Sequence, residues 1–347
     1  MLHQFVEIVR PIFVSLQSRS MISRRLVRIK ALQALYSYQQ GGSTDNVSLQ
    51  NLTPTQQEHY QNTLANLNDS INQSYDFFLF LLDLPFQLST YLLEKQTIEK
   101  SKFYPDQQKI RDLSILDRMP LVKYLHRAVE DNKRKQFPFD WSELVGQYDQ
   151  YYEWMQTWEF VRDINIFDAP TFQQQQAFLE EFYANLFETK ELFFDNLNDY
   201  YSGWSDDELY TTREIEKTIQ SAKENGVVPV PEKPTYNSEE IEMANQLFTT
   251  TCKNSKLYES QVAEISDNWD PSRIAIMDLL IIKLTLTEFL HCPTIPVKVT
   301  INEYLEITKN YSTPNSSRFV NGVLDKLRIV MESQGLIQKS GRGLRDK

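Results

Sequence analysis

The sequence predicts an all-α protein. Apolar residues recur at helical spacing along most of its 347 residues. Glycine occurs only nine times, whereas sheet-rich and nucleotide-binding α/β folds use glycine freely at their turns. A capping residue followed by proline, a common start of a helix, is found at Thr53-Pro54, Asp270-Pro271 and Thr313-Pro314. These observations favour helices that are joined by short polar loops.

The clearest helix near the start of the chain is predicted over 23–40. Its apolar side is formed by Leu26, Ile29, Leu32, Ala34, Leu35 and Tyr36, and its first two turns carry Arg24, Arg25, Arg28 and Lys30. Cations at a helix N-terminus oppose the macrodipole, so their placement does not stabilise the helix. The four basic residues therefore form either a solvated polar face or a surface that binds an anionic partner.

The middle of the chain, 41–236, is predicted to be a series of helices rich in Gln, Asn and aromatic residues. An apolar run at 77–84 is too short to span a bilayer. A helix is expected over 112–136, and the basic cluster at 132–135 either complements its C-terminal dipole or binds phosphate. The proline-rich segment 225–234 is expected to be an extended linker.

The C-terminal part is predicted to form a compact bundle. Two helices are expected at 239–250 and 253–265. Residues 274–290 carry apolar side chains on nearly every face, which predicts a core helix enclosed by others. Shorter helices are expected over 299–309 and from Pro314 onward.

Net charge is unevenly distributed. The chain carries −11 overall, but 1–40 carries +5, 270–330 carries +1 and 331–347 carries +2, which leaves −19 on 41–269. If the two ends meet in space, they form a local cationic surface that the total charge hides.

No catalytic, nucleotide-binding or metal-binding motif is visible in the sequence, so we expect no enzyme activity and no cofactor. The four histidines are scattered, and the two cysteines cannot form a disulfide framework, which suits a cytoplasmic protein. The first twenty residues make no convincing signal peptide, and translation starting at Met21 is a hypothesis.

Two separated segments resemble one family. The segment SRRLVRIKALQALYSYQQ is similar to the first helix of the NusB family of transcription antitermination factors. The segments RIAIMDLLIIKLTLTEFL, IPVKVTINEYLEITKNY and SSRFVNGVLDKL, in that order and spacing, resemble the three C-terminal helices of that family. Typical members are much shorter, so we interpret 41–236 as a long acidic helical insertion.

The resemblance implies an all-α fold of two small helical bundles, here enlarged by the insertion. The predicted organisation is an N-terminal extension (1–22), the first family-like helix (23–40), the insertion (41–236), the C-terminal helical domain (237–334) and a flexible tail (335–347). The family implies binding to boxA RNA of ribosomal RNA transcripts together with the ribosomal protein NusE, within an antitermination complex with RNA polymerase.

The resemblance also implies site residues. The expected RNA-binding residues are Arg24, Arg25, Arg28, Asn315, Ser316, Arg318 and Phe319, and the expected partner-binding residues are Tyr36 and Asp278. Cations hold phosphate and aromatic rings stack on bases, which agrees with this assignment. Phe319 is equally compatible with a core contact, and Asp278 with a helix cap or an internal salt bridge.

Two other functions are considered. One is a protein-interaction scaffold in which the acidic insertion dominates and RNA binding is reduced. The other is an RNA-modifying enzyme with a NusB-like domain, but that class needs an α/β catalytic domain with glycine-rich loops, for which this sequence has too few glycines.

Overall fold

The structure is a computed structural model that describes residues 22–41, 52–189, 191–265 and 274–340. Several predictions therefore lie outside the described residues. These are the N-terminal extension before Ile22, the Asp270-Pro271 helix start and the tail from 341 onward.

The all-α prediction is confirmed, since the described residues contain helices and no strand. The α-helices are α1 (Arg24–Gln40), α2 (Pro54–Leu82), α3 (Leu84–Lys100), α4 (Gln107–Asp112), α5 (Pro120–Asn132), α6 (Tyr148–Thr157), α7 (Glu159–Asn165), α8 (Phe172–Thr189), α9 (Glu191–Tyr200), α10 (Trp204–Ser221), α11 (Glu239–Glu264), α12 (Ile276–His291), α13 (Val297–Tyr311) and α14 (Ser316–Ser333). A 3₁₀ helix, Trp141–Gln147, precedes α6.

Several predicted helices have different bounds in the structure. The helix expected to start at Thr313-Pro314 begins at Ser316, because Pro314 and Asn315 form a turn before it. The helix expected over 112–136 is α5, which begins only at Pro120 because proline is favoured in the first turn and disfavoured inside a helix. The two helices expected at 239–250 and 253–265 are the single helix α11. No glycine or proline interrupts that segment, so the helix continues through it.

The helix α12 forms the centre of the C-terminal bundle, as its all-round apolar pattern predicts. It packs against α1, α11, α13 and α14. Its polar residues are buried and have partners, since Lys283 pairs with Glu259 and the hydroxyl groups of Thr287 and Thr251 are 2.7 Å apart. Burial of these groups is tolerated because each is hydrogen-bonded.

The second half of α2 is the centre of the middle segment. Its aromatic residues Phe77 and Phe80 pack against rings from the 3₁₀ helix and from the region around α9 and α10, with 4.0 Å between the ring centroids of Phe80 and Trp141. By length and composition the run Pro54–Lys100 passes as a membrane span, but 72% of its most apolar stretch is buried inside the protein. Such burial is what the core helix of a folded domain shows.

Two adjacent acids at the start of α10 connect the middle segment to the terminal helices. Asp207 pairs with Lys30 of α1 at 2.9 Å, and both side chains are buried. Asp206 accepts hydrogen bonds from Gln33 of α1 and from the Tyr311 hydroxyl of α13. The middle segment therefore packs directly onto α1 and α13.

The described part of the predicted tail, 335–340, returns along the end of α12. The Lys339 ammonium donates to the carbonyl oxygens of Glu288 and Cys292, both at 2.9 Å. The Ser340 amide donates to the Pro293 carbonyl. These contacts hold the segment against the C-terminus of α12, where a cation is electrostatically favoured.

Candidate nucleic-acid interface

The start of α1 presents one exposed arginine, Arg24. The Ser23 hydroxyl caps the helix by accepting the Leu26 amide at 3.1 Å. Arg24 follows with 60% of its side chain exposed, and its guanidinium lies 3.7 Å from the carboxylate of Glu239, whose side chain is 87% exposed. A pair of this kind contributes little to stability, so Arg24 is available to an anionic ligand.

Arg25 is partly accessible and is held on α13. Its Nε and Nη2 atoms donate to the two carboxylate oxygens of Glu303 at 2.7 and 2.9 Å. The hydrogen bonds from Arg25 lower the pKa of Glu303, which keeps that carboxylate charged. The side chain of Arg25 is 37% exposed, so guanidinium N–H groups that do not bond to Glu303 are available to a ligand at the surface. Glu303 fixes the orientation of the guanidinium.

Arg28 lies inside the protein. Its side chain is 2% exposed and donates to both oxygens of Glu288, each at 2.7 Å, and its guanidinium carbon is 5.7 Å from the Tyr304 ring centroid. Burial alone lowers the pKa of Arg28, but the hydrogen bonds and charge of Glu288 outweigh it and raise that pKa above its ordinary value. Arg28 is thus a charged core residue, and a phosphate cannot reach it in this structure.

A signal for the burial of Arg28 was present in the sequence. Arg28 stands four and seven residues before Leu32 and Leu35, which places it on the core-facing side of the helix. Glu288 likewise lies within the apolar run of α12. A cation and an anion, each on a core-facing stripe, indicate an internal ion pair.

The turn between α13 and α14 holds the second group of predicted RNA-binding residues. Asn315 precedes the first turn of α14 and is exposed. Ser316 is buried, and its hydroxyl lies 2.7 Å from the Thr313 hydroxyl and 3.0 Å from that of Ser312. Ser316 therefore stabilises the turn from inside, whereas Asn315 faces solvent.

Arg318 and Phe319 extend this surface along α14. Arg318 is exposed and forms no ion pair with any residue that the structure describes. Phe319 is half-buried and packs against the hydrophobic core with part of its ring. This position is compatible with both a core contact and an RNA contact of Phe319, because one side of a ring can pack while the other remains accessible.

The predicted partner-binding residues differ in accessibility. Tyr36 is 41% exposed on α1. Asp278 is 4% exposed in the first turn of α12, and it accepts a hydrogen bond from the Ser312 hydroxyl at 2.5 Å. A carboxylate is favoured at a helix N-terminus, so Asp278 has a structural reason to be there. Through Ser312 it also connects α12 to the turn that contains Ser316.

The structure does not bring all the predicted RNA-binding residues to one point. Arg25 meets α13 at Glu303, whereas Asn315 follows the end of α13 beyond Ser312. At the 1.5 Å rise per residue of an α-helix, Glu303 and Ser312 are roughly 13 Å apart along the axis. The contact of Arg25 with α13 and the turn that holds Asn315 are therefore separated by about two and a half turns of α13.

Both cysteine thiols lie within the part of the chain that the structure describes. Burial raises the pKa of the Cys252 thiol to about 12 and that of Cys292 to about 11, so both thiols are protonated at neutral pH. Among the described residues, no three His, Cys, Asp or Glu side chains are grouped so as to hold a metal ion.

Comparison with known proteins gives a family for the chain. The model of the NusB family matches residues 188–328. The match begins at the end of α8, so it includes α9 and α10 and reaches further back than Tyr236, the predicted end of the insertion. The residues before 188 that the family model leaves uncovered include α1, and the extra N-terminal region fits an insertion. That boundary and the assignment of α1 stay predictions.

Several curated relatives carry the same name. A "Transcription antitermination protein NusB" from Salinibacter ruber is 38% identical over 117 residues, which cover 34% of this chain and 71% of the relative. One from Citrifermentans bemidjiense is 38% identical over 28% of this chain and 68% of the relative. One from Chloroherpeton thalassium is 36% identical, and the chain spans only 56% of its length.

No solved structure matches the chain. The family assignment rests on the family match, which includes the segments quoted from α12–α14, on the relatives and on the all-helical structure. The chain belongs to the NusB family.

Proposed function

We propose that this chain is a non-enzymatic, cytoplasmic RNA-binding factor in transcription antitermination. The observation that carries the proposal is that Arg24 and Arg318 are exposed and Phe319 is only half-buried, on two segments that resemble the RNA-binding segments of the family. Exposed cations contact phosphates, and an accessible ring stacks on a base. The names of the relatives support the same general role.

The proposed ligand is boxA-type RNA of ribosomal RNA transcripts. Arg24 and Arg25 would contact one part of the RNA backbone, and Arg318, Phe319 and Asn315 another. Asn315 is neutral where family members commonly have aspartate, so it repels phosphate less than aspartate would. We assign Arg28 and Ser316 positioning roles, because both are buried and hold α1 and the α13–α14 turn in place.

The proposed protein partner is NusE, within the antitermination complex with RNA polymerase. The exposed side chain of Tyr36 would contact it directly. Asp278 would act through Ser312, because its own carboxylate is buried. Tyr36 and Asp278 thus carry different roles in this proposal.

A gel-shift titration of the full chain tests the proposal. The RNAs are a boxA sequence and a scrambled RNA of equal length, each with and without NusE and at several salt concentrations. We expect preference for boxA, tighter binding with NusE, and affinity that falls with salt. Equal affinity for both RNAs, with and without NusE, would exclude the proposal.

A second candidate function is a helical interaction scaffold with reduced RNA binding. The observation that favours it is the burial of Arg28 and Lys30, which removes half of the cations in the first turns of α1 from the surface. In this case the same titration gives weak binding without sequence preference.

A further inference from the structure

The helices α8 and α10 border an open groove in the middle segment. They run antiparallel, since Gln176 near the start of α8 donates to the Ile219 carbonyl near the end of α10, and Phe187 near the end of α8 packs on Trp204 at the start of α10. Between them lies a groove of about 550 Å³. All the residues that line the groove belong to α8 or α10.

The sides of the groove are two regular ridges. On α8 the ridge is formed by Glu180, Ala184 and Glu188, and on α10 by Glu208, Thr212 and Glu216. Side chains four residues apart lie above one another on a helix, so each ridge runs for two turns or about 12 Å. Two parallel ridges with a gap between them form the surface on which another helix packs.

The floor of the groove is apolar. It is formed by Tyr183, Phe187 and Ile219, and the neighbouring Leu209 remains 48% exposed. Tyr183 and Ile219 are already buried, so the apolar surface that a ligand can still cover belongs to the half-buried Phe187 and to Leu209. Covering this surface with apolar side chains of a ligand would be favourable. The floor therefore favours a ligand with an apolar face.

The rim of the groove is strongly acidic. Five glutamates line it, which are Glu180, Glu181, Glu188, Glu208 and Glu216. Across the described ranges none of the five lies within ion-pair distance of a basic side chain, and Arg213 is the only cation among the lining residues. Partial burial raises the pKa of Glu208, so a nearby cation would relieve the cost of its charge.

We propose that this groove binds an amphipathic helix of a partner protein, with an apolar face on the floor and arginine or lysine residues against the glutamate rim. The ridges specify a helical shape for the ligand, the apolar floor specifies an apolar face, and the acidic rim specifies positively charged flanks. Nucleic acid is disfavoured by the same carboxylates. The proposal is independent of RNA binding by α1 and α14, and it gives the acidic middle segment a function.

Binding of a synthetic probe by the full chain tests the proposal. The probe is an 18-residue amphipathic helix with leucines on one face and flanking arginines, and its counterpart has glutamates in place of the arginines. Fluorescence anisotropy should detect binding of the arginine probe, decreasing with salt, and at least tenfold weaker binding of the glutamate probe. Equal binding of the two probes, or no binding of the arginine probe, would overturn the proposal.

Three variants of the chain test whether the probe binds in this groove. Glu181→Gln/Glu188→Gln/Glu216→Gln should weaken binding of the arginine probe about tenfold, since it removes three exposed rim charges. Ala184→Trp should also abolish binding, because Ala184 is exposed on a ridge and the indole would fill the groove. The matched control Glu58→Gln/Glu153→Gln/Glu224→Gln removes three exposed charges elsewhere and should leave binding within about twofold.

Two results of these variants would contradict the proposal. An equal loss in the control would mean that total charge alone attracts the probe. Self-association of the wild-type chain in sedimentation velocity, abolished by Ala184→Trp, would mean that the groove belongs to an interface between two copies. Unfolding midpoints of all variants establish that each one is folded.

Discussion

Arg28 of α1 and Glu288 of α12 form a two-hydrogen-bond ion pair in the centre of the helical bundle, with side chains 2% and 0% exposed. The Thr300 hydroxyl adds a hydrogen bond to Glu288 at 2.8 Å. The pair joins two helices that are 260 residues apart in sequence. It ties the first helix of the chain to the C-terminal bundle across the whole middle segment.

Removing one partner of this pair should destabilise the protein strongly. Arg28→Ala leaves Glu288 buried without a cation, and we expect a loss of about 3–5 kcal/mol in the free energy of unfolding. Urea unfolding followed by circular dichroism measures it. Arg28→Met/Glu288→Met removes both charges and should recover much of the loss. If Arg28→Ala instead lowers RNA affinity without changing stability, Arg28 is a direct RNA contact.

Exposed arginines should affect RNA binding and leave the fold intact. Arg24→Ala and Arg318→Ala should each weaken RNA binding and reduce the slope of log affinity against log salt by about 1, as expected for one lost phosphate contact. Unfolding midpoints should not change, because both side chains are exposed. Lys223→Ala, an exposed cation of the middle segment, is the matched control. Unaltered salt slopes in both arginine variants would remove these residues from the RNA surface.

The two roles considered for Phe319 can be separated by substitution with leucine. Phe319→Leu keeps an apolar side chain against the core, so stability should fall by less than about 1.5 kcal/mol. Loss of the ring should weaken RNA binding by about 1–3 kcal/mol if a base stacks on it. Parallel urea unfolding and RNA titration give both values. Retained RNA affinity would leave Phe319 with a core role only.

Glycine at position 322 should limit the stability of α14. Gly322 lies in the middle of the helix, is exposed, and has no heavy atom within 4 Å of the position where a Cβ would stand. Gly322→Ala should therefore stabilise the protein by about 0.5–1 kcal/mol through reduced backbone entropy of the unfolded chain. Thermal unfolding measures this change. A destabilised variant would reveal a contact on this face that the structure does not contain.

The buried carboxyl of Asp76 should make stability depend on pH. Burial raises its pKa from 3.8 to about 6, even though the Arg134 guanidinium, 2.6 Å away, opposes this shift. The folded state binds this proton more tightly than the unfolded state, so the contribution of Asp76 to stability is largest at low pH. It decreases as pH rises from about 4 to about 6.

Comparison with Asp76→Asn isolates this contribution. The difference in unfolding free energy between the wild type and this variant should change between pH 4 and pH 6 and be constant above pH 7. Urea unfolding at pH 4, 5, 6, 7 and 8 provides the curve. A difference that does not vary with pH would mean that Asp76 has the same pKa in both states.

The helices and their apolar faces were largely predictable, because helix periodicity, capping residues and prolines act over a few neighbouring residues. Thr53 caps α2 as the Thr53-Pro54 pattern predicts, and the apolar pattern of 274–290 correctly indicates a core helix. Helix ends were less predictable. No glycine or proline separates the two helices expected within 239–265, and the single helix α11 packs against α1, α2 and α12.

Sequence pattern was enough to establish the helical class, the family resemblance and the presence of a cationic cluster in the first turns of α1. Helix spacing places Arg28 on the core-facing side, but the tertiary structure was needed to show which cations of the cluster are paired and buried, namely Arg28 and Lys30, and which remain accessible, namely Arg24 and part of Arg25. The acidic residues that pair with these two buried cations, Glu288 and Asp207, lie far away in sequence. Helix periodicity is a local property, whereas the environment of a charge depends on which distant residues the fold brings beside it.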